Sequence, residues 1–154
     1  RLLQTLPDVA LGARHRAART FLSRPVHGLD EDRIDALLSE TFAVLDHPDY
    51  ADLFGPGSRA EAPVAGVIGT TAISGRIDRL VVGPETVKGL DFKTNRPPPA
   101  QPDDVSPVYL RQMAAYRALL EKIYENQRIE CVLLWTDGPR LMPLDAKLLD
   151  AYAP

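Results

Sequence analysis

Thr71-Ala72-Ile73-Ser74-Gly75-Arg76-Ile77-Asp78-Arg79-Leu80-Val81-Val82, then Gly83-Pro84-Glu85, then Thr86-Val87-Lys88-Gly89-Leu90-Asp91-Phe92-Lys93 is the stretch that decides the fold. Val, Ile and Thr dominate both halves, which is strand chemistry. Gly83-Pro84-Glu85-Thr86 reads as the turn of a hairpin. Setting Val82 opposite Val87 puts Asp78 directly opposite Asp91, with Arg76 facing Lys93 and Leu80 facing Gly89. Partners on one face have Cβ atoms about 4.5–5.5 Å apart, and like charges there repel. Two readings explain the pairing. One is a surface patch in which Arg76 and Lys93 neutralise two aspartates. The other is a divalent-cation site, because Mg²⁺ and Mn²⁺ take hard oxygen ligands. Gly89 leaves room above the face, helical segments flank it, and a third acid, Glu61, lies on the preceding strand. These favour the cation site.

Working outward, a strand is expected over 60–67, before the hairpin strands 71–82 and 86–93. Asn95-Arg96 and the run Pro97-Pro98-Pro99-Ala100-Gln101-Pro102 form a loop, being unfit for helix or central strand. A long helix is expected from Pro107 to Tyr124, with Leu110, Met113, Ala114, Leu119, Leu120 and Ile123 as its apolar stripe. Glu130–Trp135 reads as a strand buried on both faces. Asp137-Gly138 is a turn, and Met142-Pro143-Leu144 is expected to lead into a short terminal helix. The first 55 residues read as helical. One helix is expected from Pro7-Asp8 through Leu22, and a second from about Asp30 to His47-Pro48, with acids in its first turn. The expected fold class is α/β: a mixed sheet of a three-strand meander, a helix and a further strand, flanked by helices.

The 154 residues suit one domain, with 1–55 helical and 58–154 the α/β core. Hydrophobic residues at 45% and charged residues at 25% are near globular averages, against disorder or coiled coil. Formal charge of −3 excludes a strongly basic nucleic-acid coat but leaves room for a local basic site. Cys131 is the single cysteine, so a Cys-only zinc or iron–sulfur site is excluded within this chain. That usage, and the absence of a basic-then-apolar leader pattern, point to the cytoplasm. No phosphate-binding G-x-x-x-x-G-K-[ST] loop occurs. Gly66 and Gly69 read as turn glycines. The sequence opens at Arg1 in mid-pattern with no N-cap, so a fragment of a longer chain is expected.

Three motifs together carry a resemblance. Gly75-Arg76-Ile77-Asp78-Arg79-Leu80, then Leu90-Asp91-Phe92-Lys93-Thr94-Asn95, then Gln112-x-x-x-Tyr116 resembles the C-terminal nuclease domain of RecB/AddA-type helicase–nucleases. These belong to the PD-(D/E)XK, restriction-endonuclease-like superfamily. The order of the motifs and the 12 residues between the aspartates make the resemblance specific. Ala and Arg richness tilts it to AddA of a GC-rich bacterium.

The resemblance implies a restriction-endonuclease-like core and a metal-dependent exodeoxyribonuclease acting on single-stranded DNA in break repair. Mg²⁺ or Mn²⁺ would be held by Asp78, Asp91 and the backbone carbonyl of Phe92, with Glu61 a further ligand, directly or through water. Asp78, Asp91 and Lys93 would be catalytic. Gln112 and Tyr116, i and i+4 on one helix face, would position the lysine or touch DNA; plain helix–sheet packing is the other reading. Arg76, Arg96 and Arg111 would contact DNA. Arg79, Lys88 and Arg117 lie nearby in sequence, and solubility competes as the role of Lys88 and Arg117. The family's metal-binding histidine would fall just before Arg1. His15, His27 and His47 do not match it and suit surface or capping roles. A metal site short of one ligand is therefore expected, as is a partner subunit of AddB type. Relatives with iron–sulfur clusters need four cysteines, so no cluster is expected here. The alternative is a catalytically incomplete, nuclease-like module that binds DNA or a partner.

Overall fold

The computed structural model describes residues 1–154. The chain forms two compact units, Arg1–Pro56 and Gly57–Pro154. No helix is long and apolar enough to cross a membrane.

The first unit holds α1 (Leu2–Thr5), α2 (Arg14–Leu22) and α3 (Glu31–Leu45), joined by 3₁₀ turns. Asp30 caps α3 by accepting the Arg33 N–H at 2.8 Å, and Glu31 and Asp32 follow in the first turn. Anions there suit the helix dipole. The single helix expected from Pro7 to Leu22 is instead broken: turns at Leu6–Asp8 and Leu11–Ala13 precede α2. The Arg14 guanidinium takes the carbonyls of Pro7 at 2.8 Å and Val9 at 3.0 Å. A continuous helix needs those acceptors itself, and Gly12 disfavours it further. His15 stacks on Phe42, His27 tilts onto Phe21, and His47 Nδ1 accepts the Asp49 N–H at 3.2 Å. These are the surface and capping roles the sequence indicated.

The second unit is one five-stranded mixed sheet in the order β1-β2-β3-β4-β5, so the α/β class expected from sequence is the observed one. The strands are β1 (Ser58–Ile68), β2 (Thr71–Val82), β3 (Thr86–Lys93), β4 (Arg128–Trp135) and β5 (Arg140–Leu144). β1, β2 and β3 form an antiparallel meander. α4 (Pro107–Ile123) then crosses over so that β4 runs parallel to β3; parallel strands require such a crossover. Cys131 to Trp135 are all buried, as a central strand demands. β5 is a strand where the sequence indicated only an approach to α5 (Ala146–Asp150); it pairs antiparallel with β4. Pro143 hides it in the sequence, yet an edge strand tolerates proline.

The core lies between the sheet and α4, with Val64, Ile77, Leu80, Val87, Leu133 and Trp135 meeting Leu110, Met113, Leu119 and Leu120. Removing one such leucine to alanine costs about 2–5 kcal/mol. Gly66 is a close-approach glycine rather than a turn residue: a Cβ there would lie 2.8 Å from a Leu119 methyl. Gly69, at φ +58, does sit in the β1–β2 turn.

Candidate active site where β2 and β3 part

The β2–β3 register is the one read from the hairpin, with Val82 opposite Val87 and Leu80 opposite Gly89. The ladder ends at Arg79 and Leu90. Asp78 and Asp91 are next in line but do not pair. Instead Asp78 Oδ2 accepts the backbone N–H of Phe92 at 2.8 Å, a side chain replacing a ladder bond.

The disturbance has a local origin in β1. Ser58–Ala60 pair with Arg79–Val81, and Ala62–Ile68 with Thr71–Ile77, but Glu61 and Asp78 are skipped. Glu61 has φ 52, the one positive value on a non-glycine residue. Such a left-handed residue costs roughly 1–3 kcal/mol. Ile77 and Leu80 both enter the same core, so the strict alternation of a strand slips by one between them. Asp78 lies in that slip.

The slip also corrects the expected face. Gly75 and Ile77 abut α4, so Arg76 between them points to the opposite side and does not face Lys93. Its Nη1 binds Glu61 Oε2 at 3.1 Å. The patch in which Arg76 neutralises one of the paired aspartates is therefore not what forms.

Asp91 and Lys93 are buried, at 4% and 9% exposure, and pair at 2.5 Å between Oδ2 and Nζ. Lys93 Nζ donates to Gln112 Oε1 at 3.1 Å. Gln112 Nε2 donates to the Tyr116 hydroxyl at 3.1 Å, and that hydroxyl donates to the Arg76 carbonyl at 2.8 Å. The i, i+4 pair on α4 thus links the lysine of β3 to the backbone of β2. Tyr116 itself is buried in the core. Gly75 permits this: a Cβ there would stand 2.7 Å from Tyr116 Cε1.

Burial pushes the Asp78 carboxyl above its ordinary value. The Phe92 N–H opposes that, the charges of Asp91 and Glu61 add to it, and Lys93 opposes it again. Asp78 and Asp91 thus share a partly desolvated corner with one buried ammonium, and the charge of Glu61 acts on Asp78 from nearby. No set of three His, Cys, Asp or Glu side chains is grouped as a metal site. The donors that do meet are hard oxygens: the Asp78 and Asp91 carboxylates, each with one oxygen bound as described, and backbone carbonyls beside them. Such donors, completed by water, fit Mg²⁺ or Mn²⁺ and no soft metal.

One residue of the site, Tyr109, lies outside the motifs. The Tyr109 ring lies under Lys93 Nζ at 3.8 Å, and its hydroxyl donates to Asn95 Oδ1 at 2.9 Å. Tyr109 stands three residues before Gln112 and seven before Tyr116, so helical spacing could have placed it on their face. Among the basic residues, Arg96 and Arg111 are exposed. Arg79 is buried and donates to Ser58 Oγ at 3.2 Å. Lys88 pairs with Glu130, and Arg117 clamps Glu121 and Asp150. Both are thus engaged within the chain. Cys131 is buried, which pushes its thiol up to about 12 and leaves it inert.

Residues 8–147 match the family model of the PD-(D/E)XK nuclease superfamily. The chain belongs to that superfamily. No curated protein matches the chain. Among solved structures, the crystal structure of SSO0001 is similar at 17% identity and a TM-score of 0.40, over 97% of this chain and 69% of that one.

Proposed function

We propose that the chain is the nuclease module of a RecB/AddA-type helicase–nuclease, of the AddA kind, and that it hydrolyses phosphodiesters of single-stranded DNA as an exonuclease in double-strand break repair. The observation that carries this reading is the meeting of Asp78, Asp91 and Lys93 where β2 and β3 part. The order of motifs, ending in Gln112 and Tyr116 tied to Lys93, supports the RecB/AddA assignment. A partner of AddB type and a cytoplasmic setting follow from it.

Asp78, Asp91 and the Phe92 carbonyl would hold Mg²⁺ or Mn²⁺, with Glu61 reaching it directly or through water. When bound, the ion supplies Lewis-acid polarisation of the scissile phosphate and lowers the pKa of water. Lys93 donates an N–H to the attacking water or to a phosphate oxygen, and its charge offsets the negative charge that grows in the transition state. Asp91 and Gln112 fix where that ammonium stands. Arg96 and Arg111 are exposed and meet the phosphate backbone without regard to sequence, as does Arg76 when released from Glu61. Gln112 and Tyr116 act through Lys93.

The test is cleavage of end-labelled single-stranded DNA, duplex DNA and RNA by the full-length protein with its partner. Metal-dependent release of short products from the single strand supports the proposal. Equal inactivity on all three contradicts it. A second reading, a nuclease-like module that grips DNA or a partner without cutting, is favoured by one observation: Glu61 is engaged by Arg76, and no third acidic or histidine side chain joins the aspartates. DNA binding without cleavage under every metal would select it.

A further inference from the structure

Lys93 Nζ has three partners. Asp91 Oδ2 lies at 2.5 Å, Gln112 Oε1 at 3.1 Å, and the centroid of the Tyr109 ring at 3.8 Å. An ammonium has three N–H bonds and no acceptor. Two partners are oxygens; the third is a π face, which attracts cations through its quadrupole. The lysine side chain is only 10% exposed, so little water competes for it. The ring is itself held at both ends: its backbone belongs to α4, and its hydroxyl donates to Asn95, two residues beyond Lys93. The loop that leaves β3 therefore locks the ring that covers the lysine of β3.

We propose that Tyr109 is a positioning residue for Lys93: its ring face seats the ammonium, and Asn95 locks the ring. This rests on Lys93 acting in cleavage as described above. The π face is the weakest of the three partners. A phosphate oxygen is a stronger acceptor and gains the third N–H by displacing the ring contact alone. Asp91 and Gln112 then keep their bonds, so the lysine reaches substrate without losing its aim. Tyr109→Phe keeps the face and loses the Asn95 bond. Tyr109→Leu loses both.

The experiment uses the full chain and three readouts. In the wild type, the Lys93 ε-methylene proton resonance is expected upfield of those of Lys88, Lys122 and Lys147, as a ring beneath it dictates. Acylation by acetic anhydride, mapped by mass spectrometry, is expected to speed up at Lys93 about tenfold in Tyr109→Leu and less than twofold in Tyr109→Phe. In cleavage, Tyr109→Leu is expected to lower kcat about tenfold with little change in KM. An unshifted Lys93 resonance, or wild-type acylation and kcat in a folded Tyr109→Leu, overturns the proposal. If Tyr109→Leu does not fold, the wild-type resonance and Tyr109→Phe decide. Lys93→Ala separates the two failures. Full activity in Lys93→Ala overturns the nuclease reading and leaves the ring contact to the other two readouts. An inactive Lys93→Ala beside a fully active Tyr109→Leu overturns the positioning role only.

Discussion

The Asp78 carboxylate accepts the Phe92 backbone N–H at 2.8 Å, one step past the last β2–β3 pair. The carboxylate held this way is half-buried and feels the charges of Asp91 and Glu61. Its ionisation is therefore costly in the folded protein without a cation.

That cost has a sign that pH can reveal. Burial, with the Asp91 and Glu61 charges, raises the native carboxyl above its unfolded value. The native state then keeps its proton to higher pH than the unfolded chain. The stability linked to Asp78 is full below the unfolded pKa, about 3.9, and falls as pH rises through the raised native one. Asp78→Asn keeps an oxygen for the Phe92 N–H and carries no charge. Without metal, it is expected to melt above the wild type at pH 7, with the gap closing towards pH 3. A lower melting temperature at pH 7, or a gap independent of pH, contradicts the assignment.

Metal should reverse that order. Divalent cations bound only by the folded state stabilise it, by roughly 2.7 kcal/mol at a hundredfold excess over Kd. Saturating Mn²⁺ is expected to raise the wild-type melting temperature by several degrees and to leave Asp78→Asn and Asp91→Asn nearly unmoved. An equal rise in all three would place the ion elsewhere.

Gly75 is tied to Tyr116 by space alone. An alanine Cβ there stands 2.7 Å from Cε1 and must push the ring off the sheet. Gly75→Ala is expected to cost about 1–3 kcal/mol, as overpacking does. The hydroxyl bonds to Arg76 and Gln112 move with the ring, so activity should fall with stability. A calorimetric scan that matches the wild type would show that Tyr116 yields freely.

Arg111 and Arg117 sit six residues apart on α4 and should behave as opposites. Arg117 Nη1 holds Asp150 at 2.7 Å and the Ala146 carbonyl at 3.0 Å, tying α5 to α4. Arg117→Ala is expected to lower stability by about 1 kcal/mol and leave DNA affinity alone. Arg111→Ala is expected to keep its stability, weaken single-stranded DNA binding for all sequences, and cut the salt slope by about one. Salt titrations of both variants check this; interchanged behaviour would refute the division.

Much of this was legible in the chain because its signals are local. Alternation and Gly83-Pro84 place β2, β3 and their register, and the apolar stripe places α4. That register also carries Asp78 and Asp91 to the end of the ladder, with Lys93 two residues on. The parting of the strands was not. It turns on Glu61 in a left-handed backbone, and no glycine or asparagine advertises it. Simple alternation misplaces Arg76 because the slip at Asp78 is a tertiary event. The Tyr109 contact is hidden because its partner, Asn95, comes from a loop whose path the proline run conceals. β5 was missed because a five-residue edge strand containing Pro143 looks like a breaker.

The central claim is that Asp78, Asp91 and Lys93 form one hydrolytic centre. Its most direct test is the initial rate of Mg²⁺-dependent single-stranded DNA degradation by the full-length protein, compared among wild type, Asp91→Ala and Lys93→Ala. Both variants are expected to lose about 10²–10³-fold or more in rate while still binding DNA. Wild-type rates in either variant would contradict the account.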